Sequence, residues 1–276
     1  MKLLLNYTQI IFFAIAILGF NNANAATYTT INNGNWNDVT NVWSTDGITP
    51  CLCTPGINSA GNDITISNDL TLSSNVNING GSNFTLLASG SITGNFDFSS
   101  WNAHLDYFGT ASVKKLMQGV NANSVMHPGS IIIASGQFIV KDQTFTMNGS
   151  VINAAGMDIW AGTTLNILTA SRIFLTSGNM ENYGWINIGP DCCLASNGNW
   201  KNHPGGVIAG SGSCNSGGNI NNQGIWDVLI KWCATGAGIG IPSPEDCSGA
   251  NDICNAILLP VELVRFKVEE AYKDYV

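Results

Sequence analysis

Three copies of one pattern, Gly-Asn-apolar-x-Asn, recur at one constant interval: Gly178-Asn179-Met180-Glu181-Asn182, Gly198-Asn199-Trp200-Lys201-Asn202 and Gly218-Asn219-Ile220-Asn221-Asn222. A glycine follows each copy, at Gly184, Gly205 and Gly224, and Cys193, Cys214 and Cys233 nearly keep step. A short fixed period is the mark of a solenoid, in which each repeat buries its apolar face only by stacking on its neighbours. What the repeat is made of follows from hydrophobic periodicity. Ile64/Ile66, Leu70/Leu72, Val76/Ile78 and Phe84/Leu86 alternate with polar residues, and so do Ile131/Ile133, Phe138/Val140, Phe145/Met147, Met157/Ile159, Leu165/Ile167 and Ile173/Leu175. A period of two puts such side chains on one face of a strand, and Gly90, Gly136, Gly149, Gly156 and Gly162 punctuate the runs as turns.

Successive strands begin about six to eight residues apart, closer than the 8–12 of sandwich hairpins. Three short strands per period of about 20 predict an all-β fold, a right-handed parallel β-helix with an N-terminal cap and a short C-terminal tail. Roughly 200 residues would give about ten coils, with strands of neighbouring coils about 4.8 Å apart. Asn179, Asn182, Asn199, Asn202, Asn219 and Asn222 fall at equivalent corners, where amides can bond from coil to coil. The alternative is an antiparallel β-sandwich with fortuitous Asn-Gly turns.

The N-terminus reads as an export signal. Lys2 supplies a positive start, residues 10–20 are apolar, and Ala23-Asn24-Ala25 fits a small-x-small cleavage site. About eleven apolar residues fall short of the ~20 that span a bilayer, so the mature chain is expected to carry no transmembrane segment. The expected division is 1–25 signal peptide, 26–62 N-terminal cap, 63–232 β-helix, 233–258 cysteine-containing capping segment and 259–276 tail.

All eight cysteines lie in the mature part, which in an exported chain points to disulfides. Without a Cys-x2-Cys pair no zinc site is expected. Cys193 and Cys214 lie 21 residues apart, about one coil, which predicts a bridge between them, although Cys192 competes. Cys247 and Cys254 are expected to close a small loop. Cys51 and Cys53 are too close to bridge without strain unless the turn is unusual.

Charge narrows the function. Lys and Arg number 10 against 18 Asp and Glu, for a net charge of −8, and charged residues make up only 10%. Nucleic acid is therefore not an expected partner. For an enzyme, the acids of the middle region (Asp63, Asp69, Asp97, Asp106, Asp142, Asp158, Asp191, Asp227 and Glu181) and the bases Lys114, Lys115, Lys141, Arg172, Lys201 and Lys231 are scattered. A glycosidase needs two carboxylates about 5–9.5 Å apart, and only coil stacking, for example around Asp142, could supply that. His104, His127 and His203 lack ligand-like spacing, and His127-Pro128 and His203-Pro204 read as turns. No catalytic residue, metal or cofactor is assigned. Gly210-Ser211-Gly212-Ser213 lacks a nucleophile elbow, and the glycines of 236–240 lack a following Lys-Ser/Thr. Thr27-Tyr28-Thr29 and Thr144-Phe145-Thr146 lie too far apart for an ice-binding threonine ladder. Of the eight tryptophans, Trp36, Trp43 and Trp185 are expected to fill cap and core, the competing reading being an exposed sugar-stacking platform.

Both ends carry a resemblance. Gly34-Asn35-Trp36, Trp43, Cys51-x-Cys53-x-Pro55, Gly61-Asn62-Asp63-Ile64-Thr65-Ile66 and Asp69-Leu70-Thr71-Leu72 are similar to the opening of secreted β-helix proteins of Bacteroidetes. Leu259-Pro260-Val261-Glu262-Leu263 with Phe266 resembles the start of an immunoglobulin-like module that precedes a type IX secretion signal in that group; Pro244-Glu245-Asp246-Cys247 is similar to a segment before it. The resemblance implies an adhesin-like protein of the cell surface or medium. The sequence continues only ten residues past Phe266, so the module is expected to be truncated and export to stop in the periplasm. The function expected is an exported structural or adhesive solenoid, with glycans or matrix polymers as partners. The alternative is a polysaccharide lyase or glycosidase of pectin-lyase-like architecture.

Overall fold

A computed structural model describes residues 25–248, together with Ala250 and Cys254. The proposed signal sequence before Ala25 and the tail 259–276 lie outside the described residues. The chain is an all-β parallel solenoid of about nine turns, about 20 residues per coil. Among the described residues helical backbone is confined to Cys247, Ser248, Ala250 and Cys254, and no helix is long and apolar enough to cross a membrane.

Each coil contributes a strand to each of three faces. One coil runs Asp63–Ile66, Asp69–Thr71, Val76–Asn79, and the next Asn83–Leu86, Ser91–Thr93, Asp97–Ser100. All the inter-coil pairings are parallel. In two middle coils the second and third faces are served by single bent strands, Ile131–Val140 and Val151–Ile159, whose register shifts between Ala134 and Gln137.

Alternation explains the core. On the first face Ile64, Phe84 and Leu105 stack in register, and further along Phe145, Leu165, Ile186, Ile208 and Trp226 do the same. Strict coil-to-coil register keeps every inward row inward, because a one-residue slip would turn it to solvent. The repeat glycines are a packing requirement: a Cβ on Gly198 would lie 2.3 Å from the Gly178 carbonyl oxygen below it.

The first coil is interrupted. Its strands Thr27–Thr30, Gly34–Asn35 and Asn58–Ala60 join the three faces, and residues 36–57 form an excursion between the last two. Within it Trp43–Ser44 pairs antiparallel with Thr29 and Thr30. Trp36 and Trp43 are buried edge to face, centroids 5.2 Å apart, and Trp43 Nε1 donates to the Trp36 carbonyl at 2.9 Å. This excursion covers what would otherwise be an open sheet edge. It also absorbs residues that an even division by 20 assigns to coils.

The cysteines pair differently from the expectation. Cys193 bonds Cys254, Cys233 bonds Cys247, and Cys51 bonds Cys53; Cys192 and Cys214 are free and buried. The expected Cys193–Cys214 bridge fails by one residue. Here the coil period is 20, so Cys193 stacks on Ser213 while Cys214 stacks on Leu194 in the core, and adjacent strand residues point to opposite faces. The expected Cys247–Cys254 loop does not form because each sulfur is taken by a solenoid coil, Cys247 by Cys233 and Cys254 by Cys193. Asp246 N donates to the Trp232 carbonyl and sets Cys247 beside Cys233. Ser213 Oγ donates to the Ala250 carbonyl at 2.8 Å, bringing Cys254 over Cys193. The Cys51–Cys53 turn is indeed unusual, with Leu52 left-handed at φ 53°.

Candidate functional site

The corner where the third face returns to the first carries a row of residues that each directly follow a third-face strand: Trp101, Gly119, Lys141, Trp160, Tyr183 and His203. Each donates its backbone N–H to the coil before, as in Trp160 N to Val140 O at 2.9 Å and Tyr183 N to Ile159 O at 2.8 Å. These bonds fix the row along the solenoid edge. Gly119 can only be glycine, since a Cβ there would lie 2.4 Å from the Trp101 ring. The Lys141 ammonium lies between two indoles, 5.6 Å from the Trp101 centroid and 4.3 Å from that of Trp160. From the other end His203 stacks on Tyr183, centroids 3.8 Å apart and planes 10° apart.

Trp160 and Tyr183 are thus each backed by a neighbour, and a cleft of about 530 Å³ opens at them, lined also by Asp158, Ala161 and Glu181. Trp160 is 49% exposed and Tyr183 44%. Beyond Tyr183 a smaller cavity of about 260 Å³ is lined by Thr164, Gly184, Gly205 and Trp185. Trp185, expected in the core, is 50% exposed. It opens its strand at an outward position, and its neighbour Ile186 takes the inward one.

The carboxylates come from the outward row of the third face. Asp158 and Glu181, well separated in sequence, are register partners on adjacent coils. The acids that look scattered therefore include one stacked pair, and it is not at Asp142, whose oxygens instead accept from the backbone N–H groups of Gln143 and Asn121. Glu181 Oε2 bonds His203 Nε2 at 2.5 Å. Burial, then the Glu181 charge, raises the Asp158 carboxyl above the usual carboxylate range, with Lys115 pulling the other way.

The histidines, which sequence spacing leaves unconnected, take part in two matching constellations. At the second one, His127 Nε2 lies 2.8 Å from Asp106 Oδ1, and His104 Nε2 lies 3.1 Å from Asp106 Oδ2. His127 stacks on Phe108 with centroids 3.8 Å apart. In each case an acid stands two residues before an aromatic, and a His-Pro follows one coil later: Asp106, Phe108, His127 and Glu181, Tyr183, His203. The histidine therefore clamps adjacent coils by stacking and by a hydrogen bond together.

The repeat asparagines form two rows. Asn182 Nδ2 donates to Asn202 Oδ1, and Asn202 Nδ2 to Asn222 Oδ1, both at 2.7 Å and turned inward. Outside, the Asn179 and Asn199 side-chain oxygens accept from the backbone N–H of Asn199 and Asn219. Among the described residues the group with metal-like spacing is Cys233, Glu245 and Cys247, but its sulfurs are joined in a disulfide and offer no thiolate. Burial pushes the thiols of Cys192 and Cys214 up, which makes them poor nucleophiles.

Flat apolar rings on an open edge beside hydrogen-bonding carboxylates suit a ligand with an apolar face and a polar rim. Comparison with protein families, characterised proteins and solved structures finds no match.

Proposed function

We propose that the chain is an exported structural or adhesive solenoid of a secreted surface protein, and that it holds glycan at the Trp160–Tyr183 corner. The observation that carries the glycan reading is the pair of exposed rings flanking a cleft with carboxylates beside them. Pyranose faces are apolar and their hydroxyl rims donate hydrogen bonds, so one ring–acid unit meets both halves of a sugar. The export half rests on the N-terminal pattern, on the terminal motifs similar to secreted Bacteroidetes β-helix proteins, and on the three disulfides.

A glycan array of the full chain tests the ligand class. Binding to a restricted set of glycans, weakened at least tenfold by Trp160→Ala and by Tyr183→Ala, is expected. No glycan binding, or binding indifferent to both changes, contradicts it. For export, cell fractionation with N-terminal sequencing is expected to find a chain beginning at Ala26 outside the cytoplasm; an unprocessed cytoplasmic chain contradicts it.

One observation favours a second reading, glycoside hydrolysis: Asp158 and Glu181 are register partners whose backbones lie about 4.8 Å apart, which lets their carboxyl groups take up the ~5–5.5 Å separation used by retaining glycosidases. Reducing-sugar release from a bound glycan, abolished by Glu181→Gln, would establish it. Binding without turnover leaves the adhesive reading.

A further inference from the structure

We propose that the corner cleft selects a sugar bearing a protonated amine, a 2-amino-2-deoxyhexose unit, over neutral and anionic sugars. The inference rests on the glycan reading and deepens it. The charged groups that line the cleft are Asp158 and Glu181, both carboxylates. Side chains of parallel register partners run alongside each other about 4.8 Å apart. An ammonium between them can reach both oxygens at the 2.7–2.9 Å of a charge-assisted hydrogen bond. Glu181 already has His203 as a partner. Among the described residues the Asp158 carboxylate accepts no hydrogen bond, its backbone alone being paired in the sheet, and the charges it feels are those of Glu181 and Lys115.

The rings add to the same preference. An aromatic face carries negative potential and attracts cations, and this corner already uses that attraction, since Lys141 sits over Trp160. That lysine belongs to the coil before, on the corner row and off the cleft lining. Lys115 lies two coils back, and Lys201 is the register partner of Glu181 one coil on. Neither lines the cleft. A uronic acid would bring a third carboxylate to this pair and be repelled. A neutral hexose would gain the ring contact without the charge term. Binding with the amine between the acids and the C–H face on an indole or phenol ring uses all four side chains at once.

The test is calorimetric titration of the full chain at pH 6 with the β-1,4-linked glucosamine tetramer and with its fully N-acetylated counterpart. The expected result is at least tenfold tighter binding of the free amine. Asp158→Asn should shrink that preference to about threefold or less by weakening the free amine more than the acetylated tetramer, whereas Trp160→Ala should weaken both alike. Circular dichroism establishes that each variant is folded, and Asp158→Ser provides a second removal of the charge. Equal or tighter binding of the acetylated tetramer overturns the amine preference while keeping the glycan reading. Binding of neither overturns both. An oligolysine that binds as tightly as the glucosamine tetramer reassigns the cleft to a cationic peptide and overturns the proposal.

Discussion

In the middle coils the last inward row of the third face is apolar, with Ile159 stacked on Val140, whereas from the next coil onward the same row is asparagine, at 182, 202 and 222. The two regions close one corner by different means. Val140 and Ile159 are held there by burial, which is non-directional. Asn202 is held by direction: it accepts from Asn182, donates to Asn222, and meets the Gly206 and Ile225 carbonyls at 3.2 and 3.1 Å. The difference shows in coil length. Going up the third face, Val76, Phe98, Leu116, Phe138, Met157 and Met180 are register partners in turn, and their numbers rise unevenly, by 22, 18, 22, 19 and 23. Trp200 and Ile220 then follow at two equal steps. The ladder fixes the interval of the asparagines themselves and not the loop after them, since two residues separate Asn182 from Trp185 and Asn222 from Ile225 but four separate Asn202 from Val207. Below the ladder the row is mixed, with Ser100 and Gln118 under Val140, and no such interval is kept.

The largest effect is expected where the ladder is cut. Asn202→Leu keeps the number and branching of side-chain heavy atoms but takes a partner from the Asn182 amide and the Asn222 oxygen, leaving them the Val207 carbonyl and the Gly224 N–H, and from two backbone carbonyls. It should cost about 3–5 kcal/mol, since each buried polar group that loses its partner costs ~1–3. Ile159→Leu, a shape change in the apolar part of the row, should cost less than about 1.5 kcal/mol. Urea unfolding of the two variants checks this, and equal losses would erase the distinction between the regions. Next comes Cys254→Ser, which opens the Cys193–Cys254 bridge and should cost about 2–4 kcal/mol. Hydrogen exchange should then rise in the coils from Cys193 to Ile239 and stay unchanged between Ile64 and Met126; a uniform rise would mean that the two regions unfold as one.

That contrast also explains what could be read from sequence. The solenoid was legible because alternation and the repeat interval are local, and the asparagine ladder generated that interval. Where coil length varies, nothing local announces which residues stack. Asp158 and Glu181 for that reason look scattered in the sequence, and Asp106 stands unconnected to His104 and His127. The signal that could have found the clamps is an acid, a spacer and an aromatic followed one coil later by His-Pro, but it emerges only once coil lengths are known. The bridge expected at Cys214 shows the same sensitivity, since an interval of 21 rather than 20 exchanges core for surface.

Two smaller effects sharpen the comparison. Gly198→Ala, at the corner that enters the third face, drives a methyl against the Gly178 carbonyl and should cost about 1–3 kcal/mol, because the backbones of adjacent coils touch there; no loss of stability would show that this corner can adjust after all. Asp158→Asn should act in the opposite direction. The Asp158 carboxyl is raised in the fold, so the folded chain holds that proton more tightly than the unfolded one. The fold is favoured below the ordinary carboxylate range, and the advantage is lost as pH rises through the raised value. The variant should gain about 1–2 °C in Tm at pH 7 and nothing at pH 3. A gain of the same size at both pH values would detach the effect from the carboxyl charge.

The central claim is that stacking register, and not sequence proximity, assembles the corner cleft. Its most direct test is a cross-link between positions 158 and 181. Asp158→Cys with Glu181→Cys, oxidised in air and mapped without reduction, should yield a peptide joining these positions in most of the protein. Asp158→Cys with Asn182→Cys, one residue out of register and facing inward, should yield none. Efficient joining of 158 to 182, or no joining of 158 to 181 in a folded chain, would contradict the register on which the cleft depends.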